Sequence, residues 1–126
     1  MARPTLLVAE PEPVQALSIR KLVLETAKYN VLTAHSNRET LDLFHLFPNI
    51  SMAVLVDDSE LNCEQIAKYI RTTTDKVPIM FLTSRIGGKC DYADHNITSG
   101  EPERLLELVR SLVGDPRQAE RSHSQL

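Results

Sequence analysis

Apolar residues fall along this chain in short blocks separated by charged and turn-forming residues, and the blocks are of two kinds. The first kind is a continuous apolar run bounded by turn residues, which is the pattern of a strand buried on both faces. Leu6-Leu7-Val8-Ala9, Val31-Leu32-Thr33-Ala34, Met52-Ala53-Val54-Leu55-Val56 and Val77-Pro78-Ile79-Met80-Phe81-Leu82 are of this kind, and the stretch from Asp94 to Thr98 is a weaker fifth. Pro78 stands near the start of its run, where a missing N–H is tolerable. The second kind spaces apolar residues at helical intervals. From Val14 to about Tyr29 these are Val14, Leu17, Leu22, Leu24 and Ala27, with Pro13 at a helix-opening position. Ser36 and Glu39 form a capping box ahead of Leu41, Leu43, Phe44, Leu46 and Phe47, and Pro48 stops that helix. Ile66, Ala67, Tyr69 and Ile70 predict a further turn or two of helix, and Glu101-Pro102-Glu103 opens a last one over Arg104 to Val113. Gly114-Asp115-Pro116 ends it.

Strands alternating with helices at this pitch predict an α/β fold, a doubly wound parallel sheet of five strands with helices on both faces. One interval breaks the rhythm. Between Leu82 and Asp94 the chain carries Gly87-Gly88 and no apolar stripe, so the fourth crossover helix is expected to be shortened or missing. That would leave Ile79, Phe81 and Ile97 accessible to a partner or a second copy, unless the loop folds back and Ile86 and Tyr92 fill the gap.

At 126 residues the chain has room for one ordinary domain, expected over residues 4–114, with a polar and disordered tail over 115–126. The formal charge is -3, with no basic stripe, which argues against nucleic acid as a partner. The apolar runs are too short to cross a membrane and the amino terminus lacks a signal core, so a cytoplasmic protein is expected. Cys63 and Cys90 cannot build a disulfide framework or a four-ligand zinc site and read as free thiols.

In an open parallel sheet the functional site lies beyond the carboxyl ends of the strands. Here those ends carry Glu10 and Glu12, then Asp57 and Asp58, then Thr83 and Ser84, then Thr98 and Ser99. Glu10, Glu12, Asp57 and Asp58 would form an acidic pocket in which like charges repel, with Glu10 and Glu12 as solvated turn acids. This arrangement resembles the receiver domain of two-component response regulators over nearly the whole chain to about Gly114. Leu6-Leu7-Val8-Ala9-Glu10-Pro11-Glu12-Pro13 matches the apolar strand followed by paired acids, Val54-Leu55-Val56-Asp57 the strand ending in the phosphoacceptor aspartate, and Val77 to Ser84 the strand ending in a hydroxyl residue. Ile97-Thr98-Ser99-Gly100 falls on the family's hydroxyl-lysine-proline stretch.

The resemblance implies a flavodoxin-like sheet in the order 2-1-3-4-5, Asp57 at the phosphoacceptor position and Thr83 at the hydroxyl position. It also implies a reduced apparatus. Glu10 takes the first metal-binding position but Pro11, with no side-chain oxygen, takes the second; Ser99 replaces the lysine, and the polar Asn96 stands where the family carries an aromatic switch residue. Lys89, in the interval that lacks a helix, lies close enough in sequence to serve as a substitute cation. The expectation is therefore an atypical, stand-alone receiver-like signalling domain. It would act through contact with another signalling protein, a kinase or an output protein, or through a homodimer, without normal aspartyl phosphorylation and with no cofactor or only weakly bound magnesium. The alternative is a working phosphoacceptor, modified at Asp57 by a histidine kinase with magnesium held by Glu10 and Asp57. A second alternative is a small enzyme on a flavodoxin-like sheet.

Overall fold

The computed structural model describes residues 3–11, 19–58, 61–98 and 102–116. Their elements run in the order β1 (Thr5–Ala9), α1 (Ile19–Thr26), β2 (Asn30–Ala34), α2 (Asn37–Leu46), β3 (Met52–Val56), α3 (Cys63–Thr73), β4 (Ile79–Thr83), β5 (His95–Thr98) and α4 (Pro102–Val113). All strand pairs are parallel and the sheet order is β2-β1-β3-β4-β5, as the resemblance implied.

Why the strands read as unbroken apolar runs is evident from the two cores. Side chains alternate across the pleat, and helices cover both faces. Leu7, Ala9, Ala53, Leu55, Ile79 and Phe81 point to the side of α2 and α3, where they meet Phe44, Ile66 and Ile70. Leu6, Val8, Met52, Val54, Met80 and Leu82 point to the other side, with Leu24, Leu105 and Val109 from α1 and α4. The Ser36 hydroxyl caps α2 by accepting from the Glu39 N–H at 3.1 Å. The Asn62 side chain caps α3 in the same way, accepting from Gln65 N–H at 3.0 Å, which makes that helix longer than the apolar spacing alone suggested.

Two expectations about helices need qualification. The first part of the helix expected from Val14 lies outside the described residues, and its end comes before Tyr29 because Lys28 adopts a left-handed φ of 76°. Tyr29 instead turns inward and donates its hydroxyl to the carbonyl of Gly114, tying the α1–β2 turn to the end of α4. Past α4, Asp115 pairs with Arg110 at 3.4 Å and Pro116 is buried, while residues 117–126 lie outside the described part.

No helix connects β4 to β5; residues 84–94 cross over as an irregular loop, consistent with the Gly87-Gly88 pair. The flank beneath it is nevertheless covered, contrary to expectation. Ile79 and Phe81 are buried and Ile97 packs against the α1/α4 core. Ile86 and Tyr92 do not fill the gap either, since Ile86 is 99% exposed and Tyr92 is also exposed. Cys90 and Ala93 do so, joining the α2/α3 core. The loop is anchored by Cys90 N–H donating to the Asn96 side chain at 2.7 Å and by Ile79 N–H donating to Asp94 at 2.7 Å, with Arg71 of α3 also on Asp94.

Candidate functional site

The sheet places the ends of β1, β3 and β4 side by side. Asp57 N–H donates to the Leu82 carbonyl at 2.7 Å, continuing the β3–β4 ladder one residue beyond Val56, so Asp57 and Thr83 emerge as neighbours. Glu10 extends β1 by donating its N–H to the Ala34 carbonyl at 2.9 Å. Beside Asp57 opens a cleft of about 650 Å³, lined among others by Asp58, Asn62, Glu64, Arg85 and Lys89.

The Asp57 carboxylate accepts at three of its about four lone-pair sites. Its Oδ2 accepts from the Thr83 hydroxyl at 2.7 Å and from Arg85 Nε at 2.7 Å, and its Oδ1 accepts from Arg85 Nη2 at 3.0 Å. This is the two-pronged arrangement for which a planar guanidinium is suited and a lysine is not. The Arg85 hydrogen bonds hold the Asp57 carboxyl below its ordinary value; partial burial opposes them and the Thr83 hydroxyl adds to them. Arg85 is held in turn by its own backbone, whose N–H donates to Thr83 Oγ1 at 3.0 Å. Gly88 lies over the same hydroxyl, so close that a Cβ there would stand 2.8 Å from Thr83 Oγ1.

Arg85 was missed in the sequence, where Lys89 was the substitute considered. Lys89 borders the cleft but pairs with Asp91 at 3.7 Å. The available signal was position: Arg85 follows Thr83 by two residues, at the end of the strand adjoining Asp57. Glu10 was likewise misread as a solvated turn acid. It is 2% exposed, and its Oε2 pairs with Arg20 Nη1 at 3.2 Å. Of the acids expected to repel one another, Glu10 and Asp57 each face a guanidinium group, which offsets their negative charge. Glu12 and Ser99 lie outside the described residues.

Glu10 and Asp57, the pair that the phosphoacceptor alternative gives to magnesium, are each paired with an arginine in this structure. Magnesium is ordinarily held by one or two carboxylates with waters completing its octahedron, so an ion shared by Glu10 and Asp57 would have to draw both away from their arginines. Cys63 and Cys90 border the cleft from below, with Cys90 Sγ 3.8 Å from the Cys63 carbonyl. Burial first, and then the charges of Cys90, Asp57 and Asp58, push the Cys63 thiol up to about 12, and burial raises Cys90 too.

Neither protein-family models nor curated sequences match the chain. Solved structures do. The response regulator TrrA of Thermotoga maritima, in complex with Mg²⁺-BeF, is 25% identical, with 86% of this chain and 98% of that one covered and a TM-score of 0.69. The chain folds as a response-regulator receiver domain. A second receiver, the non-phosphorylated receiver domain of HemR from Leptospira biflexa, is 25% identical over 87% of this chain and 94% of its own, with a TM-score of 0.71. A complex of the histidine kinase ThkA with TrrA also matches, at 25% identity over 87% of this chain and 98% of that one, with a TM-score of 0.67. The receiver fold supports a role in signalling. Among the described residues, no helix of this receiver is long and apolar enough to cross a membrane.

Proposed function

We propose that this receiver domain signals through contact with another protein, without ordinary phosphorylation of Asp57. The observation that carries this reading is the Arg85–Asp57 pair. Asp57 stands at the phosphoacceptor position of the resemblance, and a carboxylate acting as nucleophile is weakened when neighbouring donors draw on its oxygens and crowd the path of the incoming phosphorus. Here both oxygens accept hydrogen bonds from one guanidinium and Oδ2 accepts a further one from Thr83. Support comes from the rest of the apparatus: Glu10 is turned to Arg20, Pro11 offers no side-chain oxygen, and Ser99 stands where a lysine is expected. The partner class is a signalling protein, a histidine kinase such as the one that TrrA binds or an output protein, or a second copy of the chain.

The second reading keeps Asp57 as a working phosphoacceptor with magnesium. It is favoured by the Thr83 hydroxyl, 2.7 Å from the carboxylate, and by the Mg²⁺-BeF complex of TrrA. The two readings separate by intact mass after incubation with a small-molecule phosphodonor and magnesium. The unchanged mass supports the first. Stoichiometric gain of one phosphoryl group, lost in Asp57→Asn, establishes the second.

A further inference from the structure

The loop between β4 and β5 has a construction that the proposal above does not use. Arg85 is tied at both of its ends, the guanidinium to Asp57 and the backbone N–H to Thr83 Oγ1. The turn closes on itself through Gly88 N–H donating to the Arg85 carbonyl at 3.1 Å. Gly87 supplies the left-handed residue that this turn requires, at φ 80°, and Gly88 supplies the bare backbone that fits over Thr83. At the far end Cys90 is buried and its N–H is held by Asn96. Between these anchors Ile86 projects almost wholly into solvent. A loop with two glycines and no helix is costly to hold in one shape, because its backbone entropy is high. Apart from that closing bond within the turn, the contacts described for its first half converge on Asp57 and Thr83.

We infer that Arg85 is a fixed internal counter-ion that locks the β4–β5 loop over the strand-end site, so that the loop holds one arrangement with Ile86 presented at its tip and needs no added cation or covalent group to do so. Arg85 is here a positioning residue. The inference rests on the proposed reading only in treating the Asp57 carboxylate as unmodified, and its test does not depend on phosphoryl chemistry. Because the Arg85 side chain is 73% exposed, solvent competes for the pair, and the lock is expected to be modest rather than absolute.

Amide hydrogen exchange of the full chain, resolved at Arg85, Gly88 and Cys90, reads the lock directly. Arg85→Ala and Asp57→Asn are each expected to speed exchange of the Arg85 and Gly88 amides by about fivefold, the order appropriate to a largely exposed ion pair. The double variant should exchange more slowly than the product of the two single effects predicts, because both changes break the Arg85–Asp57 pair while Asp57→Asn also alters the Thr83 contact. Arg85→Lys should fall between, since an ammonium cannot span both oxygens. Added magnesium should leave the wild-type rates unchanged. Amides of β1 and β3 serve as the control that each variant remains folded. Equal exchange in wild type and Arg85→Ala would overturn the inference, as would additive effects in the double variant or a magnesium-dependent rate in wild type. A phosphodonor that labels Asp57 while the exchange pattern stands as expected would defeat the proposed function and leave the lock intact; the reverse pair of results would do the opposite.

Discussion

Gly88→Ala probes the loop by adding a single methyl group at its tightest point. The new Cβ would lie 2.8 Å from Thr83 Oγ1, 3.2 Å from Thr83 Cγ2 and 3.2 Å from the Arg85 carbonyl. Thr83 cannot swing away cheaply, because its hydroxyl donates to Asp57 and accepts from the Arg85 N–H. Overpacking of this kind costs about 1–3 kcal/mol. Stiffening the unfolded chain by replacing a glycine returns about 0.4–1 kcal/mol. Central values of about 2 and about 0.7 kcal/mol leave a net destabilisation of about 1.3 kcal/mol, or roughly 4–7 °C in melting temperature for a domain of this size. Urea unfolding followed by circular dichroism measures it. The cause is isolated by repeating the substitution in a Thr83→Ala background, where both side-chain contacts are gone and only the 3.2 Å approach to the Arg85 carbonyl remains, so the penalty should be clearly smaller. A Gly88→Ala protein as stable as wild type would refute the reasoning, and so would an equal penalty in both backgrounds.

Three further outcomes follow from the same geometry. Asp57 has a folded-state pKa below its ordinary 3.8, so its contribution to stability is fully present above that value and disappears as pH falls through the lowered one; the stability difference between wild type and Asp57→Asn should therefore change only below about pH 4, and parallel acid limbs would contradict it. Cys63 and Cys90, buried with raised thiol pKa values, should resist iodoacetamide at about pH 8 in the native protein and react in urea, whereas prompt native alkylation would show the cleft floor to be open. Phe44, buried in the α2/α3 core and meeting the Tyr69 ring edge-to-face at 6.1 Å, should cost about 3–5 kcal/mol when truncated to alanine, and a loss below about 1 kcal/mol by urea denaturation would mean that the core collapses around the gap.

How far the sequence could be read follows from which signals are periodic. Strands buried on both faces announce themselves as unbroken apolar runs, and the Ser36–Glu39 box marked the start of α2, so the layers and the strand ends were legible. The missing fourth crossover helix was legible too, because Gly87-Gly88 and the lack of a stripe deny it both propensity and packing. What covers that flank was not. Cys90 and Ala93 are single apolar residues in an irregular loop, and no period distinguishes them from Ile86, which is more hydrophobic and yet projects into solvent. The ion pairs were harder to read for a related reason: Arg85 and Asp57 meet across 28 positions and Arg20 and Glu10 across 10, and an arginine in a loop points to its partner only once the strands are aligned. Glu10 looked solvated because a glutamate followed by proline resembles a turn. Its burial comes from the β1 end lying inside the sheet between β2 and β3.

The state of the Asp57 carboxylate is tested most directly by nitrogen-15 NMR of the Arg85 Nε–H during a magnesium titration. With the carboxylate held by Arg85, that resonance should be shifted and slow to exchange in the wild type, should return to the position of a free arginine in Asp57→Asn, and should not move as magnesium is raised through about one millimolar, the weak end of protein cation sites. A free-arginine signal in the wild type, or one that magnesium displaces saturably below that concentration together with shifts at Asp57 and Thr83, would show that the carboxylate is available to a cation and that Arg85 does not guard it.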